Sequence, residues 1–211
     1  MNKPEEYLSS IADIKNLMER SSRFLSLSGL TGVFAGIFAI IGAVVAYVYL
    51  DYSWMYSNAN PRIFNADQSI HSEFIAFLLI NAISVLCLAL GSGLYFTYRK
   101  SKKQNLPLWD ASAKHMIINL FIPLAAGGMF CLILLYHQII FLIAPVTLLF
   151  YGLALINASR YTLQDIRYLG LVEISLGLLG ALFPGYGLLL WTLGFGVLHI
   201  VYGLIMYKKY E

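Results

Sequence analysis

The residues predict an all-α fold: a polytopic membrane bundle of six transmembrane helices, preceded by an amphipathic helix at the N-terminus. Three observations predict it. Of 211 residues, 59% are hydrophobic and 12% charged, against about 25% charged in an average soluble domain. Six apolar segments have, or come close to, the roughly 17 to 25 residues that cross a bilayer. Basic residues fall almost entirely on one side of the resulting topology.

The segments are 29–50, 74–98, 116–136, 139–157, 168–183 and 186–207. A soluble chain of this size could not hide so much apolar surface, because surface grows steeply with mass at this length. The fifth segment is short: 16 residues at 1.5 Å each span only about 24 Å. Phe183-Pro184-Gly185 marks a sharp break before the sixth, since proline ends one helix and glycine permits a tight reversal. His137-Gln138 separates the third from the fourth. Pro123 and Pro145 fall inside spans, where kinks are expected.

Lys3, Lys15, Arg20 and Arg23 precede the first span. Arg99, Lys100, Lys102, Lys103 and Lys114 lie between the second and third, Arg160 and Arg167 between the fourth and fifth, and Lys208 and Lys209 after the sixth. Thirteen of the fourteen basic residues thus share one side, with Arg62 alone on the other. The positive-inside rule makes the rich side, and both termini, cytoplasmic. Five or seven spans would break this segregation.

Residues 1–26 form a separate unit in this reading, with 27–211 as the membrane domain. Tyr7, Leu8, Ile11, Ile14, Leu17, Met18 and Leu25 recur near helical spacing among charged residues, as in an amphipathic helix at the inner face. Its four basic and four acidic residues balance, so strong attraction to anionic lipid is not implied. Docking on a partner helix is the alternative. Glu5, Glu6, Asp13 and Glu19 argue against a cleaved signal peptide. The loop 51–74 carries Tyr52, Trp54, Tyr56 and Phe64, which suit the headgroup zone, as does Trp109 on the inner side.

The even-numbered spans end alike: Gly93-Leu94 before Tyr98-Arg99-Lys100, Tyr151-Gly152-Leu153 before Arg160-Tyr161, and Tyr202-Gly203-Leu204 before Lys208-Lys209-Tyr210. Three two-helix repeats would produce that pattern. So would the abundance of Gly, Leu and Tyr, with basic residues following every inner end.

The stretch 169–207, with Gly177, Gly180, Pro184, Gly194, Gly196 and Gly203 spaced through leucines, resembles the hairpin unit of the HdeD-type acid-resistance membrane proteins. Those are small six-span proteins of the bacterial inner membrane. The whole chain also resembles uncharacterised bacterial inner-membrane proteins of about this length, at Ser21-Ser22-Arg23 and 161–170. The HdeD-like part covers about a fifth of the chain. What it implies is a stress-linked role in a bacterial inner membrane, with no site residue to carry over.

Ser28, Gly32 and Gly36 stand four apart, as do Ala35, Ala39 and Ala43. Such small-residue faces let helix backbones approach closely. The expected use is packing within the chain, with a homodimer contact as the alternative.

Glu173 is the only charged residue placed inside a span. Counted from Pro184, it lies at a depth similar to His199. Glu173 shares a helix face with Gly170, Gly177 and Gly180, and His199 with Thr192, Gly196 and Gly203. Glycine faces meet other helices, so both side chains are expected to point into the bundle, with Asn157 and Tyr202 as further polar neighbours. An acidic side chain at mid-membrane costs roughly 2.5–3.5 kcal/mol on insertion scales, so it must be protonated, paired or wetted.

A structural clasp between the fifth and sixth helices is one reading of the pair, a proton- or solute-coupling site the other. No H-E-x-x-H, G-x-S-x-G, P-loop or dinucleotide signature accompanies it. His71, His115 and His137 sit near loop ends, and Cys87 and Cys131 read as small apolar residues inside spans. No enzyme, metal or cofactor is expected. No basic stripe interleaved with aromatics points to nucleic acid.

The leading expectation is a non-enzymatic accessory or stress-associated membrane module that packs with itself or a larger complex, in contact with membrane lipid. A small transporter or channel using Glu173 and His199, and a membrane sensor whose N-terminal helix docks a cytoplasmic regulator, are the alternatives.

Overall fold

The structure, a computed structural model, describes residues 24, 27–50, 63, 65, 70–105, 107 and 109–210. The amphipathic helix expected before Phe24, Arg62 and the loop aromatics Tyr52, Trp54, Tyr56 and Phe64 lie outside the described residues. Among the described residues six helical rods follow in order: α1 (Gly29–Leu50), α2 (Ser72–Gln104), α3 (Ala111–Tyr136), α4 (Ile143–Ala158), α5 (Ile166–Leu182) and α6 (Gly187–Tyr210). Five of the described stretches are long and apolar enough to cross a membrane: α1, α2, α3, α4 with the turn before it, and α6. At 17 residues, α5 is shorter.

Local chemistry sets the helix ends. Asp110 accepts a hydrogen bond from the Ala113 amide at 2.7 Å, capping α3, one of the donors a helix start leaves unpaired. Asn105 closes α2 in the left-handed region at φ 52°, a conformation asparagine tolerates well. Gln138 does the same between α3 and α4 at φ 63°. Gly185, at φ 100°, makes the reversal after Pro184, where a side chain would be strained. Pro145 is not a mid-helix residue as expected. It occupies the first turn of α4, behind a 3₁₀ turn at Ile140–Leu142, where its missing N–H costs nothing. By contrast, α3 runs continuously through Pro123.

The helices pack as antiparallel neighbours around α6, α4 and α5. Helix α1 lies between α2 and α6, and α4 lies between α3 and α5. The first and last helices cross on glycine. A β-carbon at Gly36 would lie 2.5 Å from the carbonyl oxygen of Gly196, and one at Gly203 would lie 2.5 Å from the amide nitrogen of Val33. Gly32 faces Gly203 in the same crossing, and Ser28, just ahead of α1, is buried. Helices α4 and α5 approach as closely, Gly152 against Gly170 and Gly177 against Leu149. Contacts this short rule out side chains and let dispersion between backbones replace the hydrophobic drive that lipid removes.

All the described lysines and arginines gather at one end. Gln104 of α2 reaches the Tyr210 carbonyl of α6, Lys209 pairs with Asp165 at 2.8 Å, and the His115 ring near the start of α3 stacks on Tyr161. The segment before α1 is tied to the same end. Phe24 exchanges two 2.7 Å hydrogen bonds with the α4–α5 loop, donating to the Tyr161 carbonyl and accepting from the Thr162 hydroxyl. Buried Lys100 donates to the carbonyl of Leu27 at 2.9 Å.

Candidate functional site

The polar groups converge where α4, α5 and α6 meet. Glu173 projects from α5 and is completely enclosed, with 0% of its surface exposed; His199 of α6 retains 5%. The Nδ1 atom of His199 lies 3.4 Å from Oε1 of Glu173 and 2.9 Å from the Gly194 carbonyl oxygen. Its Nε2 atom lies 2.8 Å from the hydroxyl of Tyr151, which comes from α4. One histidine therefore connects three helices.

Helix α6 is built to allow this. Residues Thr192–Leu198 are wound as a π-helix between α-helical stretches at Gly187–Trp191 and His199–Tyr210. Such wider turns favour contact between residues five apart. Gly194 and His199 are five apart, and the histidine ring returns to the Gly194 carbonyl. Gly194 also clears room for the acid: a β-carbon there would lie 2.5 Å from Oε2 of Glu173 and 2.6 Å from Leu148. Leu148, itself fully buried, closes the same side. Phe195 stacks against His199 at 5.8 Å and meets Tyr151 at 4.8 Å.

Hydrogen-bond roles follow from the partners. A carbonyl can only accept, so Nδ1 carries the hydrogen that points to Gly194. In the neutral ring Nε2 is then an acceptor, and the Tyr151 hydroxyl donates to it. Among the described residues neither oxygen of Glu173 has a hydrogen-bond partner. A buried ion without a counter-charge is costly, which leaves two net-neutral arrangements. In one, a protonated carboxyl sits beside a neutral ring. In the other, carboxylate faces imidazolium, and Tyr151 must turn from donor to acceptor at Nε2. One proton separates the two.

The structure brings together Glu173 and His199 of the residues singled out above, and leaves the other two apart. Asn157 is exposed, facing away from the cluster. Tyr202 is half-buried and packs on the apolar group of Leu155, Leu163, Ile166, Leu169 and Met206. Gly177 packs on α4, while Gly196 and Gly203 pack on α1. Tyr151 and Gly194 are the residues that sequence reasoning did not place here. Among the described residues no three of His, Cys, Asp and Glu come together as metal ligands would, and both cysteines are free.

Fold and site together define a helical, membrane-type bundle with a closed polar centre. Comparison of the chain with protein-family models, with curated proteins and with solved structures finds no match in any of the three.

Proposed function

We propose that this chain is a non-enzymatic accessory module of a bacterial inner membrane, in which Tyr151, His199 and Glu173 form a clasp that fixes α4, α5 and α6. The observation that carries this is the complete enclosure of Glu173, with 0% exposure and Gly194 and Leu148 sealing its approach. A group that must load and release a solute needs a wetted path, and this one is closed. Six crossings, counting α5, are supported by its packing against α4 and α6, with Leu171, Val172, Leu178 and Leu182 left exposed as on a lipid-facing side. Cytoplasmic termini are supported by the gathering of basic residues at one end. The stress-linked part rests on the HdeD-like stretch of α5 and α6. A second copy or a larger complex is supported by α2 and α3, whose spans are only 6% and 11% buried.

One observation favours a proton-coupled transporter instead: the carboxyl oxygens of Glu173 lack a hydrogen-bond partner. Reconstitution into liposomes under a pH gradient separates the two readings. The clasp expects no pH-dependent flux from either the parent or Glu173→Gln. Flux in the parent that Glu173→Gln abolishes would overturn it.

A further inference from the structure

We propose that the exposed face of α2 formed by Tyr95, Tyr98, Arg99, Lys102 and Lys103 binds the headgroup of an anionic phospholipid. This goes beyond the clasp and needs only that α2 crosses a bilayer.

The five positions fall on adjacent turns of one helix face and form an open, shallow surface patch. Among the described residues no carboxylate forms an ion pair with Arg99, Lys102 or Lys103. Among the described residues the acids at this end are engaged elsewhere: Asp110 accepts from the Ala113 amide, and Asp165 pairs with Lys209 and Tyr210. Neighbouring Lys100 is different in kind, since it is buried and donates to Leu27. A guanidinium offers paired donors to a phosphate, while the two ammonium groups act as point charges beside it. Tyr95 and Tyr98, 60% and 55% exposed, add amphipathic rings suited to the headgroup level.

The apolar half of such a ligand is also provided for. One turn toward the membrane, Gly91 has nothing within 4 Å of where its β-carbon would be, which leaves a notch in the helix surface. Leu88, Leu90 and Leu94 around it are exposed by 52%, 58% and 73%. Charge and grease are continuous on this rod, and a molecule with a phosphate at one end and an acyl chain at the other matches both. A soluble anion would use only the first.

The test uses the full chain in mild detergent, with retained lipid counted by native mass spectrometry after addition of phosphatidylglycerol or phosphatidylcholine. The expected result is preferential retention of phosphatidylglycerol. The triple variant Arg99→Gln, Lys102→Gln, Lys103→Gln should weaken that retention by about tenfold or more. A second triple variant, Arg160→Gln, Arg167→Gln, Lys208→Gln, removes the same charge from other exposed positions and should retain the lipid. Equal loss in both variants would mean diffuse attraction and overturn the site. So would equal retention of the two lipids, or displacement of phosphatidylglycerol by glycerol 3-phosphate.

Discussion

The α-carbon of Gly194 rests against the carboxyl group of Glu173, so closely that a β-carbon there would come within 2.5 Å of Oε2. The carbonyl of the same glycine lies 2.9 Å from Nδ1 of His199. A single small residue thus seals in the acid and anchors the base.

Gly194→Ala should therefore be disruptive although it adds one methyl group. The methyl meets both the carboxyl and Leu148, and overpacking of this kind costs about 1–3 kcal/mol. Thermal unfolding in detergent would show it as a lower midpoint. An unchanged midpoint would mean that the acid is not held where the structure has it.

Tyr151→Phe removes one hydroxyl and leaves the ring. Hydrogen bonds between membrane helices contribute roughly 0.6–2 kcal/mol, and a loss in that range is expected. A double-mutant cycle with His199→Ala isolates the bond, because the two changes should cost less together than their sum. Strict additivity would remove the link between α4 and α6.

Gly203→Ala and Gly91→Ala make a matched pair. At Gly203 the new β-carbon would lie 2.5 Å from the backbone nitrogen of Val33, and backbone cannot step aside; at Gly91 it would meet nothing within 4 Å. The first should separate α1 from α6 and lower the unfolding midpoint substantially. The second should be neutral, or stabilising by up to about 1 kcal/mol, since alanine favours helix over glycine. Similar behaviour of the two would count against the glycine crossing.

Much of this was legible in the residues, for reasons that can be named. Length and hydropathy place the apolar rods, because lipid demands long apolar runs whatever the tertiary packing, although α2 runs six residues past the expected end and α3 starts five residues early. The pairing of Glu173 with His199 follows from their similar depths counted from Pro184, 11 residues before it and 15 after. Depth alone groups Asn157 with them. An α-helix turns about 100° per residue, so Asn157 lies about 120° around α4 from Tyr151, on the other side of the rod. Tyr151 carried a faint signal, as the tyrosine of a Tyr-Gly-Leu sequence that recurs at Tyr202. Gly194 carried none, because residues five apart do not share an α-helical face. The π-helical winding of α6 is a tertiary accommodation that periodicity does not announce.

Asp165 gives an acid-side prediction from outside the spans. Burial pushes its carboxyl up, but hydrogen bonds from Lys209 and Tyr210 and the lysine charge outweigh that and hold it below the ordinary value. A carboxyl that is lower in the folded chain stabilises it above the unfolded value of about 3.9 and loses that contribution as pH falls through the folded value. With Lys209 54% exposed, solvent screens the pair and its contribution is small. Asp165→Asn should lose that small contribution at neutral pH and flatten the decline of stability below about pH 4. An identical decline in the variant would show that the pair does not matter there.

The glycine crossing of α1 with α6 also bears on how the molecule is made. During synthesis the opening rod enters long before the closing one exists, so its small-residue stripe must wait against lipid or the insertion machinery. Only emergence of the final rod supplies its permanent neighbour. Maturity is thereby tied to completion: a polypeptide halted ahead of Gly187 would leave Gly29, Gly32 and Gly36 without their permanent neighbour.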